Sequence, residues 1–318
     1  MVEIKRLILS VIAIVMVITC FAFPQDTTYT TFSTLQKLKK HYPFIRIAEE
    51  QKDENIKAFE NVVYKSVSAE RNLHVDIYTP SKKGAYPVLF LVHGGGWRSG
   101  NKILERPMSQ RIAKAGFVTV AIEYRLSLET KYPAAVHDIK AAIRWFKMHA
   151  LQYSADSSRV AISGESAGGQ LSMLVSMTNF DPEFEGERTA GECYANVKAA
   201  IDVDGVVSFL APNSLNLKRK PNSADVFWLD GTFEEKPLRW KEASAIFHVD
   251  KNSVPVLFIC SSVPRFHAGR DEMIDMYNQL GLYHESYTIP DTPHSFWLFD
   301  PWFEPTADYI QKFLIKVL

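Results

Sequence analysis

Arg159-Val160-Ala161-Ile162-Ser163-Gly164-Glu165-Ser166-Ala167-Gly168-Gly169 is the stretch whose reading decides the fold. Its first part is apolar, as a buried strand requires. Its second part is G-x-S-x-G, and residues 167–177 continue at helical spacing. A strand that turns sharply into a helix over such glycines is a nucleophile elbow, with the serine hydroxyl exposed at the apex. A side chain at Gly164 or Gly168 would crowd so tight a turn. The helix behind Ser166 offers unpaired N–H groups that favour developing negative charge. Alone the motif is short enough to arise by chance; between a strand and a helix it is specific.

Outward from this point, apolar runs of strand length lie at 88–92, 118–122, 160–162, 199–203, 254–260 and 285–289. They alternate with helix-period segments at 106–115, 133–151, 167–177, 271–280 and 305–317. In the second of these, Ala134, Ile139, Ala142, Ile143 and Phe146 share one face. The alternation predicts an α/β chain, a mostly parallel sheet with helices on both faces. Val62-Val63-Tyr64 and Leu73-His74-Val75-Asp76-Ile77-Tyr78 alternate as a paired antiparallel edge. Residues 206–253 interrupt the pattern with Pro, Asn, Lys and aromatics, as a cap over the site or a surface excursion would.

The chain has 318 residues, 47% of them hydrophobic, enough to fill a large core. The single run of motifs favours one domain at 62–318 after a lead-in at 25–61. Lys and Arg total 36, as do Asp and Glu, without like-charge blocks, so nothing points to nucleic acid. Lys5 and Arg6 precede an apolar run at 7–23, with small residues near Ala22 and polar sequence from Gln25. That order predicts a secretory signal over residues 1–24 and a secreted or periplasmic protein, with an uncleaved anchor as the alternative. Val17-Ile18-Thr19 before Cys20 is a poor lipidation signal. Cys193 and Cys260 remain, outside any C-x-x-C spacing, and read as free thiols with no structural zinc.

Two more segments carry chemistry. His93-Gly94-Gly95-Gly96-Trp97 follows the 88–92 strand. The amides of Gly94 or Gly95, joined by that of Ala167, are candidate donors to the oxyanion of an acyl transfer. Ile289-Pro290-Asp291-Thr292-Pro293-His294-Ser295-Phe296-Trp297 follows the last strand. The general base comes last in chain order with such an elbow. Of nine histidines only His284 and His294 lie late enough, and His284 opens the final strand, at the wrong end of the sheet. His294 is therefore expected to take the Ser166 proton.

Residues 93–97 and 164–169, Tyr124-Arg125-Leu126, Tyr132-Pro133-Ala134-Ala135, Asp138 with Ala142-Ile143-Arg144-Trp145, and Glu242-Ala243-Ser244-Ala245 together resemble one family. It is that of the α/β-hydrolase esterases grouped around hormone-sensitive lipase, particularly the bacterial polysaccharide esterases of acetyl-xylan or feruloyl type. The resemblance covers roughly residues 62–318. It implies an α/β-hydrolase fold with about eight strands, and a serine carboxylic ester hydrolase acting on short acyl esters of carbohydrate, acetyl first. It implies no cofactor. Such enzymes place the acid a few residues past the penultimate strand, in a Gly-x-x-Asp segment. Here that position falls near Pro264 or Arg265, and neither is acidic.

Asp271 is the nearest candidate, as the acid on a lengthened loop or as a first-turn residue of the next helix. Asp204, and after it Asp202, are the alternatives at the end of the 199–203 strand. A Ser–His pair without an acid is the last option, and a slower one, because nothing would set the imidazole tautomer. Arg265, His267 and Arg270 read either as a site for an acidic sugar or as a solvated basic loop. Trp97, Trp297 and Trp302 read as a sugar-stacking platform or as core filling. Two rival readings stay open. One is a general or lipase-like carboxylesterase, disfavoured by the polar residues at 212–225; the other is a non-catalytic binding protein on a hydrolase scaffold.

Overall fold

The computed structural model describes residues 26–51, 53–188 and 191–318, so the expected signal over 1–24 lies outside the described residues. Eight strands form one sheet: β1 Ile56–Ser68, β2 Arg71–Pro80, β3 Tyr86–Val92, β4 Val118–Ile122, β5 Ala155–Glu165, β6 Ala199–Val203, β7 Val256–Cys260 and β8 His284–Thr288. Their spatial order is β1-β2-β4-β3-β5-β6-β7-β8. β2 runs antiparallel to both neighbours, and all pairs from β4 through β8 are parallel.

The main helices are α1 Thr31–Leu38, α2 Arg106–Lys114, α3 Ala134–His149, α4 Ala167–Met177, α5 Arg270–Leu280 and α6 Phe303–Val317. Side chains alternate across a strand, and β3 shows the consequence. Val88, Phe90 and Val92 join the core shared with Ile139, Leu171 and Met273 of α3, α4 and α5. Leu89 and Leu91 join the second core, with Ile112 of α2 and Ile310 and Phe313 of α6. Each such side chain, once fully buried, contributes roughly 1.5–3 kcal/mol.

β1 starts at Ile56, earlier than the pattern at 62–64 suggests. Lys57, Ala58 and Phe59 are exposed, so no apolar alternation marks them; main-chain pairing with Thr79, Tyr78 and Ile77 makes them a strand. The buried Asp138 carboxylate on α3 explains two quoted motifs at once. It accepts a two-pronged bond from Arg125 (2.7 and 2.8 Å) and a third bond from Lys65 (2.8 Å), locking α3 to the chain leaving β4. In the lead-in, Arg46–Ile47 pairs antiparallel with Phe299–Asp300, just past His294.

Residues 206–253 contain three short α-helices, Pro212–Leu215, Ala224–Trp228 and Pro237–Glu242, and a 3-10 turn at Ala245–His248. Phe209, Trp228 and Trp240 anchor the insertion by burying their rings in the α4-side core. No helix among the described residues is long and apolar enough to cross a membrane.

Candidate active site

Ser166 stands between β5 and α4 with φ 55° and ψ −118°, a backbone conformation that a side-chain-bearing residue rarely adopts. Holding it costs of order 1–3 kcal/mol, which the surroundings must offset. They do so through its amide, which donates to the Val203 carbonyl at the end of β6 (2.9 Å), and through close packing at Gly168. A Cβ on Gly168 would run into the Val92 carbonyl oxygen, so only glycine lets α4 start against the end of β3.

The Ser166 hydroxyl lies 2.8 Å from Nε2 of His294, and Nδ1 of the same ring lies 2.6 Å from Oδ2 of Asp204. An ionised carboxylate can only accept, so Nδ1 carries the proton and Nε2 is left as the acceptor for the serine O–H. Asp204 is itself held on three sides. Its amide donates to the Ile259 carbonyl (2.9 Å), and its carboxylate accepts from the Ser261 amide (2.9 Å) and hydroxyl (2.7 Å). Ser166 and His294, singled out from sequence, thus meet in space with Asp204 as the third member.

Asp271 is corrected. It is a first-turn residue of α5, its side chain is 77% exposed, and it pairs with Arg270 at 2.8 Å. It therefore points at solvent and has no bond to His294. Asp202 is buried beneath the start of α4, where Gly169 and Gly205 crowd its carboxyl. Burial first, then the Asp204 charge, push its pKa well above the ordinary carboxylate range.

The imidazole is clamped between aromatic rings. Phe266 stacks on it at 3.4 Å between centroids, and Trp297 meets it edge-on at 5.1 Å. This burial lowers the His294 pKa below its ordinary value, against the opposing pull of the Asp204 hydrogen bond. The base works only when Nε2 is unprotonated. The acid limb of kcat/KM for p-nitrophenyl acetate is therefore expected to have its midpoint below about 6.5, with a plateau on the alkaline side. A midpoint clearly above that value would contradict the burial argument.

A cavity of about 430 Å³ opens onto Ser166, lined by Gly96, Trp97, Ala167, Val206 and Phe209 among others. Among the described residues, the amides of Gly94, Gly95 and Ala167 donate to no protein acceptor. Gly94 packs against the Ser166 Cβ, and Gly95 takes φ +123° in a turn where a Cβ would strike the Ser99 carbonyl. Trp97 is 8% exposed and lines the cavity as a wall; it stacks on Trp228 at 4.8 Å, and its indole N–H donates to Gln170 (2.9 Å).

Three other expectations are corrected. Trp297 faces a second cavity with Glu105 and Glu165, away from the one over Ser166. Trp302 packs on Tyr42 and Phe44 of the lead-in. Neither offers an open sugar platform, because each is buried under neighbouring rings. His267 points toward Asp204 and Cys260 and does not line the substrate cavity. The ligand atoms of those three residues lie within 4.8 Å of one another. A cation there would have to take the Asp204 oxygens from Ser261 and His294, so the cluster is better suited to a hydrogen-bonded acid. Sequence reasoning missed Ser261, Phe266 and Phe209. Of these, Ser261 had a signal: it opens the loop on which a carboxylate was expected near 264–265, and it supplies a donor to Asp204 instead.

Fold and site geometry together define an α/β-hydrolase that carries a Ser166–His294–Asp204 constellation. A family model described as BD-FAE matches residues 75–282, and the chain belongs to that family. It is 38% identical over 140 residues to a probable carboxylic ester hydrolase, LipM, of Mycobacterium tuberculosis, covering 43% of this chain and 32% of LipM. It is 29% identical over 189 residues to esterase LipC of the same organism, covering 59% of this chain and 45% of LipC. The match thus spans less than half the length of either relative. Among solved structures, a truncated carbohydrate esterase from gut microbiota superposes with a TM-score of 0.71 at 25% identity, covering 84% of this chain and all of that one (100%).

Proposed function

We propose that the protein is a carboxylic ester hydrolase that removes short acyl groups, acetyl first, from carbohydrate. One observation carries the reading: His294 bridges the Ser166 hydroxyl and the Asp204 carboxylate at 2.8 and 2.6 Å. In the proposed cycle, Ser166 Oγ attacks the ester carbonyl while its proton passes to Nε2 of His294. The amides of Gly94, Gly95 and Ala167 receive the oxyanion, and the α4 N-terminus favours its charge. Collapse expels the sugar alcohol, which takes the proton back from His294. Water then enters by the same base and frees the carboxylic acid.

Carbohydrate as the alcohol is supported by the likeness to a carbohydrate esterase. A short acyl group is supported by the indole and phenyl rings of Trp97 and Phe209, which line the cavity onto which Ser166 opens and pack 5.6 Å apart between centroids. Location outside the cytoplasm rests on the basic start and apolar run at 5–23. The test is turnover of p-nitrophenyl esters of increasing acyl length, with fluorophosphonate labelling of the folded protein. We expect labelling at Ser166 and the highest kcat/KM on acetate. Faster turnover of long chains would favour a lipase-like enzyme, and no labelling would favour a binding protein.

A further inference from the structure

The charges over the cavity divide into those that are neutralised and those that are not. Arg219, on the cavity wall, gives its guanidinium to Asp225 at 2.6 Å and lies over the Trp240 ring at 4.8 Å. Asp204 is buried and committed to His294 and Ser261. Arg270 is paired with Asp271. Two cationic residues on the lining remain: Lys218 on the insertion and Arg265 on the loop after β7. Both are exposed, and neither has a carboxylate partner among the described residues.

Arg265 is also preorganised. Its guanidinium sits 4.0 Å above the Phe266 ring, and Phe266 itself stacks on His294. A stacked, planar guanidinium loses little further freedom when it grips a carboxylate with two parallel bonds. Its position is one ring away from the reacting centre. By contrast, Gly96, Trp97, Val206 and Phe209, which line the same cavity as Ser166, carry no ionisable group. These residues offer the acyl group an uncharged place to sit, which leaves the two cations to the alcohol side of the ester.

Resting on the esterase reading above, we propose that the natural substrate is an acidic glycan, an acylated uronic-acid-containing chain whose sugar carboxylates are gripped by Arg265 and Lys218. The carboxylate is assigned to the alcohol side of the ester. The Arg265–Phe266 stack sets its distance from the scissile bond, and Lys218, on the insertion that lines the same cavity, supplies a less directional second contact.

The test compares acetate release from acetylated polygalacturonate with release from the same polymer after methyl esterification, which removes the charges and keeps the backbone. Wild type is expected to favour the charged polymer by roughly tenfold in kcat/KM, the scale of one good charge-assisted contact. That preference should shrink at high salt. In Arg265→Gln and Lys218→Gln the ratio of the two rates is expected to fall toward one. Taking the ratio within each variant removes any general effect of the substitution on the neighbouring base. Equal rates of wild type on the two polymers would overturn the proposal, as would ratios unchanged in both variants. So would hydrolysis of p-nitrophenyl acetate with no acetate released from either polymer. Loss of p-nitrophenyl acetate hydrolysis together with fluorophosphonate labelling would instead strike the esterase reading itself.

Discussion

Asp204→Asn is expected to lower kcat by about 10⁴-fold, roughly 5 kcal/mol of transition-state stabilisation, with the fold intact. Asparagine matches the carboxylate in shape, and its carbonyl oxygen can still accept from the Ser261 amide that now bonds Oδ1 (2.9 Å). Its NH₂ group then faces Nδ1 of His294, where Oδ2 accepts at 2.6 Å in the native chain. Two donors cannot share that contact, so the imidazole shifts its proton to Nε2. There it meets the Ser166 hydroxyl and can no longer accept. Asp271→Asn is the matched control: an exposed carboxylate bonded only to Arg270 should leave kcat within about twofold of wild type. Steady-state kinetics on p-nitrophenyl acetate, with circular dichroism to confirm folding, decides the matter. Near-normal turnover in Asp204→Asn, or a collapse in Asp271→Asn, would reverse the assignment.

Ser166→Ala should have the largest effect, about 10⁶-fold in kcat, or roughly 8 kcal/mol. Removing Oγ leaves the oxyanion donors and the cavity in place but no atom to form the acyl bond. Alanine retains the Cβ that already tolerates φ 55°, so the elbow should hold its shape and the melting temperature should change little. Fluorophosphonate labelling should vanish in parallel. Residual turnover within about a hundredfold of wild type would mean that another group attacks the ester, and the proposed mechanism would fall.

How legible the site was in sequence depended on the range over which each part is encoded. The elbow, the His93–Gly96 turn and the His294 loop each lie within a few residues of a strand end. A local pattern therefore carried them, and β5, α4 and the end of β3 hold them in the expected relation. The acid was not encoded in that way. β6 and β7 are adjacent and parallel, so their ends open onto the same space. A carboxylate leaving either strand can reach the imidazole, and sequence separation does not say which one does.

What sequence alone determined here is the α/β alternation, the tight glycine-lined turn under Ser166 and the histidine that closes the chain order. All of these follow from side-chain periodicity and from the few residues that fit a strained turn. Only the tertiary structure decided that Asp204 orients the ring, that Trp97 rather than Trp297 walls the cavity, and that Arg265 is left unneutralised at its rim. Those facts are about which distant side chains compete for the same partner. Ser261 after β7 holds Asp204 after β6, a pairing that exists only once the strands have been brought side by side. The Arg270–Asp271 and Arg219–Asp225 pairs are local, and they leave Arg265 as the free guanidinium only where the loops fold over the cavity.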